Sequence, residues 1–555
     1  MAEPSLLSGT VLVCQPASSS GGVAFDASLS RIVRFSLALL ALAVIPCGCQ
    51  KPTMDLLPPR PNVAPADAGT DHKPLLLDAS QIKPMYTELL PVDLPTIAKV
   101  ATAENFDIRM ARSAVEASLG EYQSTVGSAF PTIVPTAVFE HVDGTVRATE
   151  GNLVGVGFDT FHVSAAIQWI VNPGKVFYDI VAAKKRLFAT ERQEQGVIQE
   201  TLRRAVVQYY SLAFAQASVS AANQSVKEAE ELLRISRIRV QTGTGVPADT
   251  LRAEARLAAR RQDLVSALNQ FYDASVALSM TLHLDATVTL LPSVTELPPT
   301  PLIRGDLEID ELLGFALVFR PDLESVRQLA KAAEAKTGST WWSGFGPELA
   351  LGYEYGGITG NANNVKSNGG IPSNLIVNPG SANGSFVGNP LANGFVREGI
   401  LRGSKKAAGR DDQTFGFSDQ QRANAGVGWR LSVATFGKIK TAKAMKKRAI
   451  LRAERMLDQV RAEVVTAAQA SETQDQLVAL ARHQVASAEE ALRLSEANLR
   501  AGAMTTLDVL QAQDAATQAR LRYARAVVAY NQSQVNLLAA LGLLSKDALL
   551  LNDES

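Results

Sequence analysis

The chain has 555 residues, a formal net charge of −1 at pH 7 and 20% charged residues. This length allows several domains, and the near-zero charge rules out a polybasic nucleic-acid surface as the default expectation, so we predict no nucleic-acid partner. The three cysteines are Cys14, Cys47 and Cys49. The chain after residue 49 therefore offers no disulfide framework, thiolate metal site or cysteine nucleophile.

The N-terminal region has the pattern of an exported protein. Residues 1–30 form an extension without an evident role, and residues 31–49 combine a short basic region with an apolar stretch too short to span a bilayer. Cys49 ends a sequence that resembles the lipobox of bacterial lipoproteins, although Pro46 stands where that motif usually has Leu, Val or Ile. We predict lipidation of Cys49 or, alternatively, a plain cleaved signal peptide. Residues 50–94 are Pro-rich and predict an extended linker.

Most of the remaining chain consists of two copies of one unit, residues 95–285 and 308–545. A shift of 259 positions aligns RISRIRVQTGTGVPADTLRAEA with RLSEANLRAGAMTTLDVLQAQD and places Gly243 on Gly502. Such internal similarity indicates a duplicated supersecondary unit. The other segments are a Pro-rich connector, residues 286–307, and a C-terminal tail, residues 546–555.

Each copy predicts a helix, two strands, a very long helix, a glycine break and a shorter helix. The helical patterns cover residues 95–128, 175–241 and 247–283, and then 308–340, 437–500 and 505–541. A run of about 65 residues at about 1.5 Å each is roughly 100 Å long, so the long helices resemble coiled-coil rods. The tip turns are predicted at 242–247 and 501–506. An almost wholly polar stripe along the last helix indicates that one face of this helix is exposed to solvent. The stripe comprises Asp508, Gln511, Ala515, Gln518, Arg522, Arg525, Gln532 and Asn536.

Four segments alternate between apolar and small or polar residues. They cover residues 132–142, 162–171, 347–356 and 421–433, and a Gly/Asn-rich loop at 357–420 separates the last two. Period-two alternation is typical of a half-buried strand. The length also suits strands that cross an outer membrane, with the apolar side towards lipid and the other side towards a lumen. One face of a soluble sheet explains the periodicity equally well.

The duplicated order of elements resembles that of the TolC-like outer membrane efflux protein family. The resemblance covers about residues 90–545, and its short motifs are specific only in combination. The motifs are Asn105, Arg320–Leu323 (RPDL), Pro131, Pro347, Trp169–Lys175, Trp429–Lys438 and AGAMTTLDVLQAQ from Ala501.

The resemblance implies a mixed α and β fold with mainly long α-helices. Each copy would give two transmembrane β-strands and coiled-coil-like helices to a homotrimer, with a twelve-stranded β-barrel in outer membrane lipid and a periplasmic α-helical barrel. Four strands cannot close a barrel, and open strand edges in hydrocarbon leave backbone groups unpaired at a cost of several kcal/mol each. Oligomerisation therefore also follows from the strands, while the number three comes from the resemblance alone.

The resemblance also implies roles for the two glycine-broken turns, which would form the periplasmic tip. The adaptor-contact residues would be Thr242, Gly243, Thr244, Gly245, Val246, Ala501, Gly502, Ala503, Met504 and Thr505. The family's T-x-x-D-V-L motif matches Asp508 as an aperture residue, whereas Gln511 replaces a second aspartate of the best-known member. A ring of like carboxylates in a narrow opening would attract cations. Alternatively, the Asp508 carboxylate, like that of its counterpart Asp249, only interacts favourably with the positive N-terminal end of its helix.

These features predict a passive outer membrane channel that extends into the periplasm. It would serve a tripartite efflux pump or a type I secretion system, with a periplasmic adaptor and an inner-membrane pump as partners. The alternative is a soluble periplasmic coiled-coil structural or adaptor protein, in which the strands would expose a large apolar band. No metal site is predicted, because the five histidines are scattered without metal-ligand spacing. They are His72, His141, His162, His283 and His483. No cofactor or enzyme activity is predicted either, since no catalytic arrangement of residues can be argued from the sequence.

Overall fold

A computed structural model describes residues 61, 63, 75–77, 80–83, 88–103, 105–147, 153–294, 296–363, 412–501 and 503–550. These residues belong to one compact unit, Leu57–Ser555. Several predictions concern residues outside this part of the chain. They are the extension 1–30, the export signal 31–49 with its lipidation site Cys49, Gly502, the end of the tail and most of the loop 357–420.

The main elements occur twice in the same order along the chain. The first group comprises α1 (Leu94–Ala103), α2 (Phe106–Gly127), β3 (Thr132–Arg147), β4 (Leu153–Val171), α3 (Pro173–Gln241) and α4 (Pro247–Leu282). The second comprises α5 (Ile309–Phe319), α6 (Pro321–Phe345), β7 (Pro347–Asn363), β8 (Asp412–Trp429), α7 (Ala434–Arg500) and α8 (Thr506–Ala540). The short elements outside these groups are β1 (Leu75–Leu76), β2 (Leu89–Val92), β5 (Thr289–Pro292), β6 (Glu296–Leu297) and α9 (Lys546–Leu550).

The first helix predicted in each copy is broken into two helices. Asn105 has an extended backbone, and its side chain accepts a hydrogen bond from the Asp107 amide at 2.8 Å, which caps α2. Pro321 begins α6, and Arg320 before it is extended, as residues preceding proline prefer. The predictions of single helices were wrong because one capping residue ends a helix without changing the composition around it.

The four long strands form one antiparallel sheet in the order β3–β4–β7–β8. Ile133 lies opposite Ile167, Ile167 opposite Tyr353, and Tyr353 opposite Ala423. Because side chains alternate along each strand, odd-numbered residues of all four strands share one face up to an irregularity after Ile358. This register brings the apolar positions of the four alternating segments onto a single face.

The strands extend beyond the predicted segments 132–142, 162–171 and 347–356. Both β7 and β8 run into the predicted loop 357–420, and they pair with each other there. Backbone hydrogen bonds hold such a ladder together whatever the side chains are. The prediction ended too early because Gly, Thr and Asn replace the apolar alternation in these parts of the strands.

The predicted strand 421–433 ends earlier than its alternating pattern. Its last residue is Trp429, and Val433 already has helical backbone angles (φ −58°, ψ −33°). The Thr435 amide donates to the Ser432 carbonyl at 3.0 Å, which starts the turn into α7. Apolar residues at odd positions continue through this turn, so the pattern alone could not mark the end of the strand.

Two small sheets join the N-terminal segment to the connector between the copies. β2 pairs in parallel with β5, and β1 pairs antiparallel with β6. The described residues of the predicted linker 50–94 therefore include two strands, and Leu77, Ile82 and Val92 are buried in the main core. These two- and four-residue strands were missed because they pair with a distant segment and carry no periodic pattern of their own.

α3 is the central helix of the described structure. It packs against α2, α4, α6 and α8, whereas α7 packs mainly against α5, α6 and α8. The core along these helices includes Leu202, Leu212, Phe271 and Leu538. Among the described residues, no helix is both long and apolar enough to span a bilayer.

Candidate functional site

The turn between α3 and α4 closes in a Schellman motif. The Gly243 amide donates to the Val240 carbonyl at 3.1 Å, and the Thr244 amide donates to the Arg239 carbonyl at 2.9 Å. These bonds pair carbonyls that the helix end would otherwise leave free. Gly243 has a φ of 75°, which side-chain-bearing residues rarely adopt. The glycine therefore ends α3 and turns the chain back.

The exit from this turn is tight but lacks a side-chain cap. A Cβ atom at Gly245 would lie 2.9 Å from the Cβ of Arg239, so the position has no room for a side chain. Val246 precedes α4 in an extended conformation. Its carbonyl accepts a hydrogen bond from the Asp249 amide at 2.9 Å, but its side chain offers none. Asp249 lies in that turn and pairs with Arg252 at 3.1 Å. The first turn of α4 is thus stabilised by this backbone bond and by a carboxylate near the positive helix end, without a side-chain cap.

The turn between α7 and α8 has a fuller cap. The Ala503 amide donates to the Asn498 carbonyl at 2.9 Å, the same pairing that closes the first turn. Thr505 and Asp508 form a capping box at the start of α8, in which the Asp508 amide donates to the Thr505 hydroxyl at 3.3 Å and the Thr505 amide donates to the Asp508 carboxylate at 3.0 Å. Gly502 lies outside the described residues.

The two turns lie side by side. Arg239 donates from Nη1 to the Leu499 carbonyl at 3.2 Å, and Arg500 pairs with Glu231 at 3.3 Å. Apolar side chains of the four helices pack directly behind the turns. They are Val226, Ala229, Leu232, Leu233, Ile235, Ala253, Leu257, Leu492, Leu499, Val509 and Ala516. We call the two turns, residues 242–246 and 501–505, the hairpin tip.

Asp508 acts as a helix cap within the single chain. Its carboxylate accepts a hydrogen bond from the Thr505 hydroxyl at 2.7 Å. This bond, together with the one from the Thr505 amide, holds the pKa of the Asp508 carboxyl below its ordinary value. Gln511, one turn later, and Leu507 are exposed. The role of Asp508 and Gln511 in an aperture stays a prediction.

A charged cluster that sequence reasoning missed lies between the helices behind the tip. Arg520 of α8 bonds Glu228 of α3 at 2.8 Å and Glu489 of α7 at 3.1 Å. Burial raises the pKa of Glu496, and the nearby Glu228 carboxylate raises it further. No spacing rule could find this cluster, because its members come from three helices. Within the described part of the chain, no group of three His, Cys, Asp or Glu side chains is placed to hold a metal ion.

The odd-numbered face of the four-stranded sheet is mainly apolar and exposed from its helix-proximal end to the level of Phe139 and Phe161. Beyond that level it carries polar side chains, such as His141 and Asp159, which lie opposite each other. Its exposed large side chains include Ile133, Phe139, Phe161, Val163, Ile167, Leu351, Tyr353, Tyr355, Val427 and Trp429. The opposite face carries small or polar residues such as Ser164, Gly352 and Asn424. An apolar band of this extent is unusual for a protein surrounded by water.

All four tryptophans lie where the sheet meets the helices. They are Trp169, Trp341, Trp342 and Trp429. The Trp341 ring contacts both Trp342 and Phe345, and Phe345 in turn contacts Phe436. Indole rings are favoured at the boundary between membrane and water. Their position therefore fits an apolar band that ends at a membrane surface.

Comparison with known proteins identifies the class. A family profile described as outer membrane efflux protein matches residues 97–282 and 401–543, more than half of the chain. The chain therefore belongs to this family of TolC-like efflux channels. A comparison with curated protein sequences finds no significant match.

Solved structures share this fold at low sequence identity. The outer membrane channel OprN is 18% identical with a TM-score of 0.62, over 90% of this chain and 100% of that one. The Campylobacter jejuni channel CmeC is 16% identical with a TM-score of 0.63, over 91% and 97% of the two chains. The open state of the Neisseria gonorrhoeae channel MtrE is 17% identical with a TM-score of 0.60, over 89% and 100%.

Proposed function

We propose that this protein is a passive outer membrane duct that works as a homotrimer. Three four-stranded sheets would close one twelve-stranded β-barrel. The observation that carries this proposal is the sheet itself. Its odd-numbered face is mainly apolar and exposed up to the level of Phe139 and Phe161, and β3 and β8 each have an edge that no described strand pairs. In hydrocarbon each unpaired backbone group costs several kcal/mol, so β3 of one chain would pair with β8 of the next.

The strand lengths support a membrane-spanning role. The four strands contain 16 to 19 residues. A tilted strand needs only about 9–11 residues to cross the hydrocarbon layer. The additional residues suit strands that continue past the membrane surface. This continuation would lie at the strand ends that lead towards the chain between residues 363 and 412.

The helices would carry the duct across the periplasm. α3 has 69 residues and is roughly 100 Å long at about 1.5 Å per residue. The hairpin tip lies at the end of the helices remote from the sheet, where a periplasmic adaptor of a tripartite efflux pump would contact it. The contact residues would be Thr242, Gly243, Thr244, Gly245, Val246, Ala501, Gly502, Ala503, Met504 and Thr505. Energy for transport would come from the inner-membrane pump.

The alternative, a soluble periplasmic coiled-coil protein, is disfavoured by the exposed apolar face of the sheet. Cell fractionation followed by native mass spectrometry in detergent tests the choice. We expect the full chain in the outer membrane fraction and a trimeric mass. A monomer that stays dissolved without detergent would contradict the proposed function.

We further propose that Asp508 lines the aperture of the duct. Three ionised carboxylates close to the axis would favour cations over anions. In single-channel recordings, Asp508→Asn should lower the cation preference and Gln511→Asp should raise it. Thr505→Ala removes the cap without changing the charge and serves as the control. If Asp508→Asn leaves the selectivity as it is in the wild type, Asp508 does not line the aperture.

A further inference from the structure

The exposed apolar face of the sheet continues past the last strand. Leu431 and Val433 follow Trp429 at odd positions, and their side chains are 73% and 86% exposed. Phe436, in the first turn of α7, is exposed as well. Exposed apolar side chains at this level extend the membrane-facing surface towards the helices.

The same face of α7 then becomes basic. Val433, Phe436, Lys440, Lys443 and Lys447 follow one another at spacings of three, four, three and four residues. Such spacing places side chains on one side of a helix. All five side chains are exposed, and no carboxylate among the described residues forms an ion pair with the three lysines. We call these five residues the lysine stripe.

The charge of this region is one-sided. Between residues 430 and 453 the chain has eight Lys or Arg and neither Asp nor Glu. The corresponding start of α3 differs, because Lys175 pairs with Asp179 at 2.9 Å and Lys336 of α6 binds the same carboxylate at 2.7 Å. In the second copy Arg430 pairs with Glu348 and Lys446 with Glu334, whereas the three stripe lysines have no carboxylate partner among the described residues.

We propose that the lysine stripe binds anionic phospholipids of the periplasmic leaflet of the outer membrane. This inference rests on the proposed function, since it requires the sheet to lie in that membrane. Val433 and Phe436 would enter the acyl boundary, and the lysine ammonium groups would bind lipid phosphates. Lys440 lies about 9 Å and Lys447 about 20 Å along the axis from Ala434, at about 1.5 Å per residue.

Physical chemistry favours a lipid as the occupant. Lysine stems pack along apolar surface while the charged ends stay in water, as an interface requires. A basic cluster next to a membrane-spanning segment attracts anionic lipids with about 1 kcal/mol per lysine, which corresponds to about a fivefold gain in affinity for each. The continuity of the apolar face with the lysines places both parts of such a site on one surface.

The test uses detergent-solubilised full-length protein and two short-chain lipids. Dioctanoyl-phosphatidylglycerol and dioctanoyl-phosphatidylcholine are titrated separately. Binding is followed by tryptophan fluorescence, since Trp429 shortly precedes Val433 in the chain and Phe345 contacts both Trp341 and Phe436. We expect the wild type to prefer the anionic lipid, and salt to weaken that preference. Replacing Lys440, Lys443 and Lys447 together by Gln should reduce its affinity roughly 100-fold.

A matched control distinguishes lipid binding by the lysine stripe from attraction of the lipid by positive charge elsewhere on the helix. Replacing Arg448, Arg452 and Arg455 by Gln removes the same charge from the same helix, on other sides and further from the sheet. This variant should bind the anionic lipid as the wild type does. Replacement of the three stripe lysines by Arg should also preserve binding. Equal losses in the two Gln variants, or no preference for the anionic lipid in the wild type, overturn the proposal.

Two further outcomes would show that something other than a phospholipid occupies the lysine stripe. Each of them would also overturn the proposal. Dissociation of the trimer in the Lys→Gln variant, seen by native mass spectrometry, would place the stripe against a sister chain. Competition by inorganic phosphate as strong as that by the lipid would indicate a site for free anions. A wild-type channel that is trimeric and conducting but lacks the lipid preference contradicts only this inference, whereas a soluble monomer contradicts the proposed function.

Discussion

The two longest helices of the chain have nearly equal lengths but opposite surroundings. α3 buries 27 of its 69 residues, whereas α7 buries 9 of its 67. Helices of the same chain cover α3 on several sides, while α7 lies at the edge of the helical layer. The exposed apolar side chains of α7 include Met445, Ile450, Leu451, Val465, Leu477, Leu480 and Leu494.

This difference shows which helix needs another chain. α3 obtains its packing from the fold of one protomer, so its apolar residues stabilise the single chain. α7 exposes large apolar residues on the sides that its own chain leaves uncovered, and this is where a sister chain of the proposed trimer would pack. Substitutions on the two helices should therefore affect different equilibria.

The largest effect is expected for Leu212→Ala in α3. Leu212 is fully buried in the main core. Truncation of a buried leucine leaves a cavity and typically costs about 2–5 kcal/mol of unfolding free energy. We expect a clear drop in the thermal unfolding temperature of the detergent-solubilised protein, measured by far-UV circular dichroism.

The matched substitution Leu480→Ala in α7 sharpens the comparison. Leu480 is 66% exposed in the single chain, so its loss should barely change the stability of one protomer. It should instead shift the trimer towards monomers when the protein is diluted, as measured by native mass spectrometry. If Leu480→Ala unfolds the chain as Leu212→Ala does, the proposed division between the two helices is wrong.

The sequence predicted the repeated elements of the two copies. It did not predict that α3 is covered by its own chain while α7 is largely exposed. The alternation around Ile167 and Tyr353 predicted which positions of each strand are apolar. The register of the sheet brings these positions onto one face. Both α3 and α7 were predicted as long coiled-coil-like rods, however, and their burial depends on which neighbours the topology supplies. The same limit applies to β2 and β5, whose pairing involves segments about 200 residues apart.

The hairpin tip shows what sequence reasoning could and could not find there. Gly243 and the Thr505–Asp508 spacing carry local signals, a helix stop and a capping box, because their partners lie within a few residues. The link between Glu228 and Arg520 carries none, because it joins helices 292 positions apart in the chain. Local chemistry was therefore predictable at the tip, and contacts between the hairpins were not.

The two turns of the tip allow a finer test. Thr505 caps α8 through its hydroxyl, whereas Val246 gives α4 no side-chain cap. Thr505→Ala should lower the unfolding free energy by about 1 kcal/mol, and Val246→Ser should raise it by a smaller amount. Chemical denaturation of the two variants checks the signs. A stabilising effect of Thr505→Ala would contradict the capping assignment.

The smallest effect concerns two glutamates of α7. Glu496 faces the charged cluster, and its pKa is raised by burial and by the neighbouring carboxylates. The charged groups around it are Glu228, Glu231, Arg500 and Arg520. Glu490 lies on the exposed side, where the hydrogen bond from Arg493 lowers its pKa. The two groups should therefore respond to pH with opposite signs.

A raised native pKa means that the folded chain binds the Glu496 proton more tightly than the unfolded chain does. The contribution of Glu496 to stability is then present at low pH and is lost as the pH rises from about 4.5 through the raised pKa. Glu496→Gln should increase the unfolding temperature at pH 7, with no increase below pH about 4. Glu490→Gln should decrease it slightly at pH 7, because the contribution of a group with a lowered pKa is lost only as the pH falls. Thermal unfolding of both variants at the two pH values measures the signs, and a decrease for Glu496→Gln at pH 7 would show that Glu496 is stabilised as a carboxylate.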